Sequence, residues 1–342
     1  MFKMAIIGLV HDHIWNYLDS IKEIDQAEIT CAADINQSLL ERASRILGLS
    51  AGSLYTDYRE MLKREDLDAC LIFAENNRHA ELTEDCARHG LHVMVEKPMA
   101  SNLRDADRML KAAEQSNIRL MVNFPLFYNS AVAGCLRLIE ENRIGRIWLM
   151  RYSTGHSGPE KFCDPHFTNW LWDREKNGGG ALIDFCAYGA ALSVWYFGKP
   201  DRITAVGGNF THPDRALEDH AIVTLRYLKE NRICLLEGTW ATTPGGIVMN
   251  LCGETGTVFN NIGDRKRYYL LDSESKTPAD LSFPEPSDEE SGPLKYFVKK
   301  VRTGEAFEGI VNAELARDTQ EILEAARIAL KTNREVSLPL KG

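Results

Sequence analysis

The amino-acid sequence predicts an α/β protein of two domains: residues 1–122 form a parallel sheet covered by helices, and residues 123–342 form an α+β domain on a mainly antiparallel sheet. Three observations predict it. At about 150 residues per domain, 342 residues exceed what one core usually organises. Up to Asn123, short apolar runs alternate with amphipathic segments, the rhythm of parallel strands joined by crossover helices. Beyond Pro200 the texture changes to long β-rich runs at hairpin-like spacing.

In chain order, Met4–Ile7 reads as the first strand and Ile14–Ile21 as a helix. Glu28–Ala33 reads as a second strand. Ser38–Leu47 follows as a helix, with Leu39, Leu40, Ala43, Ile46 and Leu47 on its apolar stripe. Asp68–Ala74, Leu91–Val95 and Arg119–Asn123 supply further strands, with helices at His79–His89 and Leu103–Gln115, the second capped by Ser101. A helix at Ser130–Glu140 leads to a strand at Ile147–Tyr152. Strands are then expected at Arg202–Gly207, Ala221–Tyr227, Arg232–Thr239, Val248–Gly253 and Thr257–Asn260. Asp272–Pro293, rich in Ser, Pro, Asp and Glu, reads as a surface loop. A final helix at Ala313–Leu330, packing back towards the first domain, and a strand at Glu335–Leu338 close the chain.

Composition narrows the partners. Forty-four per cent hydrophobic and 26 per cent charged residues exclude disorder and collagen, and a net charge of −9 argues against gripping a nucleic-acid backbone or an anionic membrane. A small or neutral partner is expected. The best uncharged apolar run, Phe185–Gly198, stops short of the roughly 20 residues that span a bilayer, and the start has too short an apolar stretch for a secretory signal. A cytoplasmic address follows. Eight scattered cysteines with no C-x-x-C pair read as reduced, small hydrophobes. The spacing of His156, Cys163, Asp164 and His166 fits no zinc signature, so no metal is expected.

Three constellations carry chemistry. The first is Gly8-Leu9-Val10-His11-Asp12-His13, at the first strand-to-helix turn. There, backbone N–H groups and a helix end can meet a pyrophosphate; Val10 and His13 stand where a full fingerprint has its second and third glycines, so an ordinary turn is the competing reading. Asp34 ends the second strand, where a carboxylate accepts ribose hydroxyls and repels a 2′-phosphate; NAD is preferred over NADP, with Arg42 and Arg45 on the next helix as the counter-argument.

The second constellation is Glu96-Lys97-Pro98 at the carboxyl end of a parallel strand, where a lysine can polarise a hydroxyl or carbonyl; a solvated Glu96–Lys97 pair is the alternative. The third is Gly178-Gly179-Gly180 entering a helix that carries Asp184 and Tyr188. These stand at i and i+4 on one face, so a carboxylate lies one turn from a phenol able to move a proton; a capped helix with a half-buried tyrosine is the bland version. Before it, His156 and Trp170 supply donors and aromatic faces of the kind a polyol ring needs.

Gly8 with His13, Asn76 with His79, Glu96-Lys97-Pro98, and Gly178-Gly179-Gly180 with Asp184 and Tyr188 occur in the order found in Gfo/Idh/MocA oxidoreductases, which the chain resembles from end to end. The resemblance implies a nicotinamide-dependent dehydrogenase with an N-terminal Rossmann domain. It also implies a C-terminal domain whose open sheet makes a homodimer or homotetramer. By the same resemblance Gly8, Val10, His13, Asp34, Asn76, His79, Glu96 and Lys97 serve the cofactor. Lys97, Asp184 and Tyr188 are catalytic, and Lys97, His156, Trp170, Asp184 and Tyr188 face a small polyhydroxylated substrate. Pro98 shapes the turn presenting Lys97, through a cis bond. Tyr188 replaces the histidine of many members. Ala74-Glu75 replaces the usual Thr-Pro, and Asn123-Phe124-Pro125 lacks a basic substrate contact. The expected reaction is hydride transfer between NAD and a secondary hydroxyl of a sugar, cyclic polyol or glycoside. Its competitors are redox-neutral glycoside cleavage or elimination with bound NAD, and a non-catalytic nucleotide-sensing regulator.

Overall fold

The computed structural model describes residues 1–242, 246–261, 264, 267–275 and 277–341. Its first sheet has six parallel strands, β1 (Phe2–Ile7), β2 (Ala27–Ala33), β3 (Leu54–Tyr55), β4 (Ala69–Ile72), β5 (His92–Glu96) and β6 (Leu120–Asn123), ordered β3-β2-β1-β4-β5-β6. The continuous apolar runs of β4 and β6 are buried on both faces, because crossover helices cover the sheet on either side. Those helices are α1 (Gln37–Leu47), α2 (Tyr58–Arg64), α3 (His79–Arg88) and α4 (Leu103–Gln115). Strand order reverses between β1 and β4, the switch point where such sheets open a crevice beyond their carboxyl ends.

Two expectations for this half are corrected. The stretch Ile14–Ile21 is no α-helix but part of two 3₁₀ segments, Asp12–Asn16 and Leu18–Glu23. Ile14, Leu18 and Ile21 are buried as their spacing requires. The hydrogen bonds nevertheless close three residues back, Tyr17 N–H to the Ile14 carbonyl and Ser20 N–H to that of Tyr17, and the Ser20 hydroxyl also donates to the Tyr17 carbonyl at 2.7 Å. A side chain thus competes for an oxygen that an α-helix needs. Asn102, not Ser101, caps α4 by accepting the Asp105 N–H at 3.0 Å, while the Ser101 backbone packs against Gly178.

The second sheet has nine strands: β7 (Ile147–Gly155), β8 (Arg202–Gly208), β9 (His220–Tyr227), β10 (Arg232–Thr239), β11 (Gly246–Gly253), β12 (Gly256–Asn260), β13 (Tyr268–Asp272), β14 (Ala279–Leu281) and β15 (Val336–Ser337). Their order is β14-β13-β12-β11-β7-β10-β9-β8-β15, antiparallel except for β7 beside β10. The sheet is therefore mixed and mainly antiparallel. Between β6 and β8 the chain forms α5 (Ser130–Glu140), α6 (Pro165–Leu171), α7 (Arg174–Asn177) and α8 (Ala181–Phe197); α9 (Pro293–Thr303) and α10 (Ala313–Thr332) follow β14. Strands β13 and β14 and helix α9 were not anticipated: β14 lies inside the stretch read as loop, and α9 buries Leu294, Phe297 and Val298 on a short stripe interrupted by Lys295 and followed by Lys299, Lys300 and Arg302.

Helix α8 lies against β7, β9 and β10, and α10 packs on α8 and reaches back to α4 and β6. An Arg317–Asp107 pair at 2.7 Å and a bridge between Met121 and Asn312 fasten that return. Across Arg174–Phe197, α7 and α8 together, the most apolar 18-residue window has a mean hydropathy of 1.3, enough to cross a membrane by length and composition although the uncharged run within it stays short. That window is 78% buried between the sheet and α10, so the protein's own core accounts for its character.

Candidate active site

Two openings lie beyond the carboxyl ends of the parallel strands. The larger, about 390 Å³, is lined by Asp12 and His13 from the glycine turn, Lys97 after β5, Thr154 and His156 at the end of β7, and Asp184 and Tyr188 on α8. The smaller, about 40 Å³, runs past Gly8, Val10, Asp34, Asn36 and Arg78.

Lys97 is the centre of the larger cavity. Its ammonium is buried and donates to Asp184 Oδ1 at 2.6 Å and to the Asp184 carbonyl at 3.3 Å, with its Nζ 4.9 Å from the Tyr188 ring centroid. The other carboxylate oxygen of Asp184 accepts the indole N–H of the fully buried Trp240 at 2.9 Å. Burial pushes the Asp184 carboxyl up, but the Lys97 charge, its hydrogen bond and the Trp240 donor outweigh that and hold it below the ordinary value. One helix face thus presents a carboxylate and, a turn later, a phenol, as the i, i+4 spacing required. The expected alternative, a solvated Glu96–Lys97 pair, is excluded, because both are buried and neither pairs with the other.

The glycine run makes this juxtaposition possible. A Cβ on Gly180 would stand 2.0 Å from the Glu218 carbonyl, so only glycine lets the start of α8 lie so close to the chain before β9. Glu218 repays the approach by accepting the N–H groups of Gly180 at 2.7 Å and Leu182 at 3.3 Å, capping α8 from 36–38 residues away. Across the cavity, Gly8 has φ +81° and leaves no room for a Cβ, which would meet Ala74 at 2.8 Å.

Glu96 is wholly buried beneath the floor. It accepts Asn123 Nδ2 at 2.7 Å and bonds His13 Nδ1 at 2.9 Å, so it orients a histidine that faces the cavity. His13 therefore stands on the wall of the larger cavity as well as at the glycine turn. His156 also faces the cavity; its Nδ1 accepts the Gly158 N–H at 3.2 Å, and burial lowers its pKa. The donor atoms of His11, His13 and Glu96 lie within 4.8 Å of one another, a spacing a metal could use. Each is already engaged, since His11 Nδ1 accepts the His13 N–H at 3.3 Å and His13 bonds Glu96.

The smaller crevice lies where the glycine turn meets the end of β2. Asp34 accepts the Leu9 N–H at 2.6 Å and the Asn36 N–H at 2.7 Å, tying the glycine turn to the end of β2 while lining the crevice with a carboxylate. Arg42, the counter-argument for NADP, is engaged elsewhere: it stacks 3.9 Å over Trp15 and pairs with Asp164 at 3.5 Å. The Oδ1 atom of the buried Asn76, behind this crevice, has no hydrogen-bond partner.

A model described as "Oxidoreductase family, NAD-binding Rossmann fold" matches residues 2–124, and "GFO/IDH/MocA C-terminal domain" matches residues 134–259. The chain belongs to the GFO/IDH/MocA oxidoreductase family. It is an NAD-dependent oxidoreductase. Among relatives, the myo-inositol 2-dehydrogenase of Thermotoga maritima is 22% identical over 340 residues, 97% of this chain and 96% of that one. A 2,7-anhydro-N-acetylneuraminate hydratase of Mediterraneibacter gnavus is 26% identical over 231 residues, 63% and 59% of the two chains. An aldose-aldose oxidoreductase of Caulobacter crescentus complexed with glycerol shares the fold, with a TM-score of 0.85 at 20% identity over 98% of this chain and 99% of that one.

Within this GFO/IDH/MocA frame, four expected contacts move behind the walls. His79 is fully buried among the carbonyls of Ala74, Pro98 and Met99, each at 3.2 Å, and braces the turn after β5. Asn76 donates to Asn177 Oδ1 at 2.7 Å, linking the end of β4 to α7. Glu96 acts through His13. Trp170 is buried against His11 and Phe167, because the face of α6 that carries it turns towards the glycine turn. The Lys97–Pro98 bond is cis, as the resemblance implied. The sequence reading missed Asp12, Thr154 and Trp240. Alternating burial along β7 carries the signal for Thr154, whereas nothing local marks Trp240.

The Lys97–Asp184 pair gives a pH-resolved prediction. A carboxyl held below its ordinary value stabilises the fold above about pH 4, and that contribution is lost as pH falls through the lowered value. Lys97→Met leaves Asp184 buried and unpaired, so urea unfolding at pH 7 should show a loss of about 3–5 kcal/mol. Near pH 4 the gap to wild type should narrow as the unpaired carboxyl takes a proton; an equal gap at both pH values would count against the pairing.

Proposed function

We propose that the protein oxidises, or in reverse forms, a secondary hydroxyl of a sugar, cyclic polyol or glycoside, with residues 1–122 holding NAD and residues 123–342 shaping the substrate site. The observation that carries this reading is the convergence of the Lys97 ammonium, the Asp184 carboxylate and the Tyr188 phenol on one cavity of about 390 Å³. Bound NAD supplies the hydride acceptor. Gly8, Val10 and Asp34 line its crevice, and Asn76, His79 and Glu96 support the frame behind it. Lys97 holds the reacting oxygen and favours its alkoxide-like form. Tyr188 accepts the hydroxyl proton, aided by the cation 4.9 Å from its ring, and Asp184 fixes that cation in place. His156 offers a hydrogen bond to a second hydroxyl. The inositol dehydrogenase relative and the glycerol-bound neighbour are consistent with a polyol.

A second reading rests on the hydratase relative: NAD stays bound, and transient oxidation serves elimination or glycoside cleavage. Turnover without added NAD, with NAD recovered in the purified protein, would favour it. A non-catalytic regulator would leave the Lys97–Asp184–Tyr188 grouping without a task.

We also propose a homodimer or homotetramer built on the open face of the second sheet. Register places Ile222, Leu235 and Val248 on the face away from α8, with Ile233 44% and Val206 63% exposed beside them. A cytoplasmic address is supported by eight free thiols, six of them buried.

In an NADH-absorbance screen of sugars, inositols and glycosides, wild type should reduce NAD and use NADP at least tenfold less well. Lys97→Ala and Tyr188→Phe should each cut turnover by about two orders of magnitude or more while NAD still binds; full activity in either removes that residue from the mechanism. By light scattering, Leu235→Glu should lower the oligomer's mass towards that of the 38.5 kDa chain, and an unchanged mass would move the interface elsewhere.

A further inference from the structure

The charges around the larger cavity are unequal. Its ammonium, Lys97, is charge-balanced by Asp184 at 2.6 Å, although a third N–H remains for the reacting oxygen. His156 uses its Nδ1 to accept a backbone N–H, which leaves the ring in its neutral form with the proton on Nε2. His13 is bonded to the buried Glu96, so that pair carries no net positive charge in either protonation state of the ring. Asp12 has no such balance. Its Oδ2 accepts the Asp164 N–H at 2.7 Å, and Arg42, which acts on it only at longer range, makes its ion pair with the Asp164 carboxylate and stacks on Trp15. Among the described lining residues, then, every cation has its own carboxylate, and one carboxylate on the wall lacks a cation. An asparagine at this turn could keep the bond to the Asp164 N–H without the charge, so the half-buried acid there shapes what enters.

We propose that Asp12 is a charge filter, restricting the cavity to uncharged or amine-bearing polyhydroxylated substrates and rejecting sugar acids. The inference rests on the reading of this cavity as the substrate site. A carboxylate entering it would shed water, find no unpaired side-chain cation among the described lining residues and share the cavity with Asp12, a like-charge contact that disfavours binding. Hydroxyls meet acceptors instead, at Asp12 and Thr154, and a donor at the Nε2–H of the neutral His156 imidazole.

The test uses matched trios, D-glucose, D-glucosamine and D-glucuronate, and the corresponding galactose set, with NAD-loaded full-length protein. Binding is read by calorimetry and hydride transfer by absorbance. Neutral and amino sugars should exceed the acid by about a hundredfold in affinity or kcat/KM. Asp12→Asn, which keeps an oxygen for the Asp164 N–H, should close that gap about tenfold by raising the acid's value. Acids handled as well as neutral sugars by wild type would overturn the filter, as would an unmoved ratio in a folded Asp12→Asn. If that variant does not fold, the wild-type order decides alone. Neutral-over-acid binding without hydride transfer to any compound would uphold the filter and overturn the dehydrogenase reading.

Discussion

The structure depends on one buried ion pair between its two sheets. Lys97 leaves the first sheet at the end of β5, Asp184 enters the second layer in the first turn of α8, and the two meet at 2.6 Å with almost no solvent. Neither charge is affordable alone in that position, so each sheet fixes where the other must end. A pair of this kind gives little net stability compared with apolar packing. What it provides is placement: an ammonium that cannot wander, one turn of helix from a phenol.

The surrounding features follow from the need to bring those two ends together. The glycine run removes side chains where α8 passes Ser101 and Glu218, Glu218 caps the helix from a distance, and Trp240 satisfies the second carboxylate oxygen. On the other side, His79 holds the carbonyls of the turn after β5, and the Glu96 carboxylate beneath it orients His13. The return of α10 onto α4 closes the two layers into one continuous core, in which a shift of either sheet would disturb the site.

Much of this was legible in the sequence because it is local. Period-2 and period-3.6 patterns located most strands and helices, the i, i+4 spacing put Asp184 and Tyr188 on one face, and Glu96-Lys97-Pro98 marked a strand end. What escaped depends on distant partners. His79 and Trp170 look like site residues by type, and only packing shows that carbonyls and aromatic rings enclose them. Trp240 lies 56 residues from the carboxylate it serves. Ile14–Ile21 has helical spacing, yet Ser20 takes a carbonyl for itself. The role of Asp12 emerges only when every cation near it is seen to be paired.

The central claim is that Lys97 and Asp184 act as a unit on the reacting oxygen. Single-turnover hydride transfer to NAD, measured in wild type, Lys97→Ala, Asp184→Asn and the double variant, tests it most directly. A unit predicts strong non-additivity, the double variant being no slower than the slower single one. Additive losses in free energy would show two independent contributions and contradict the account.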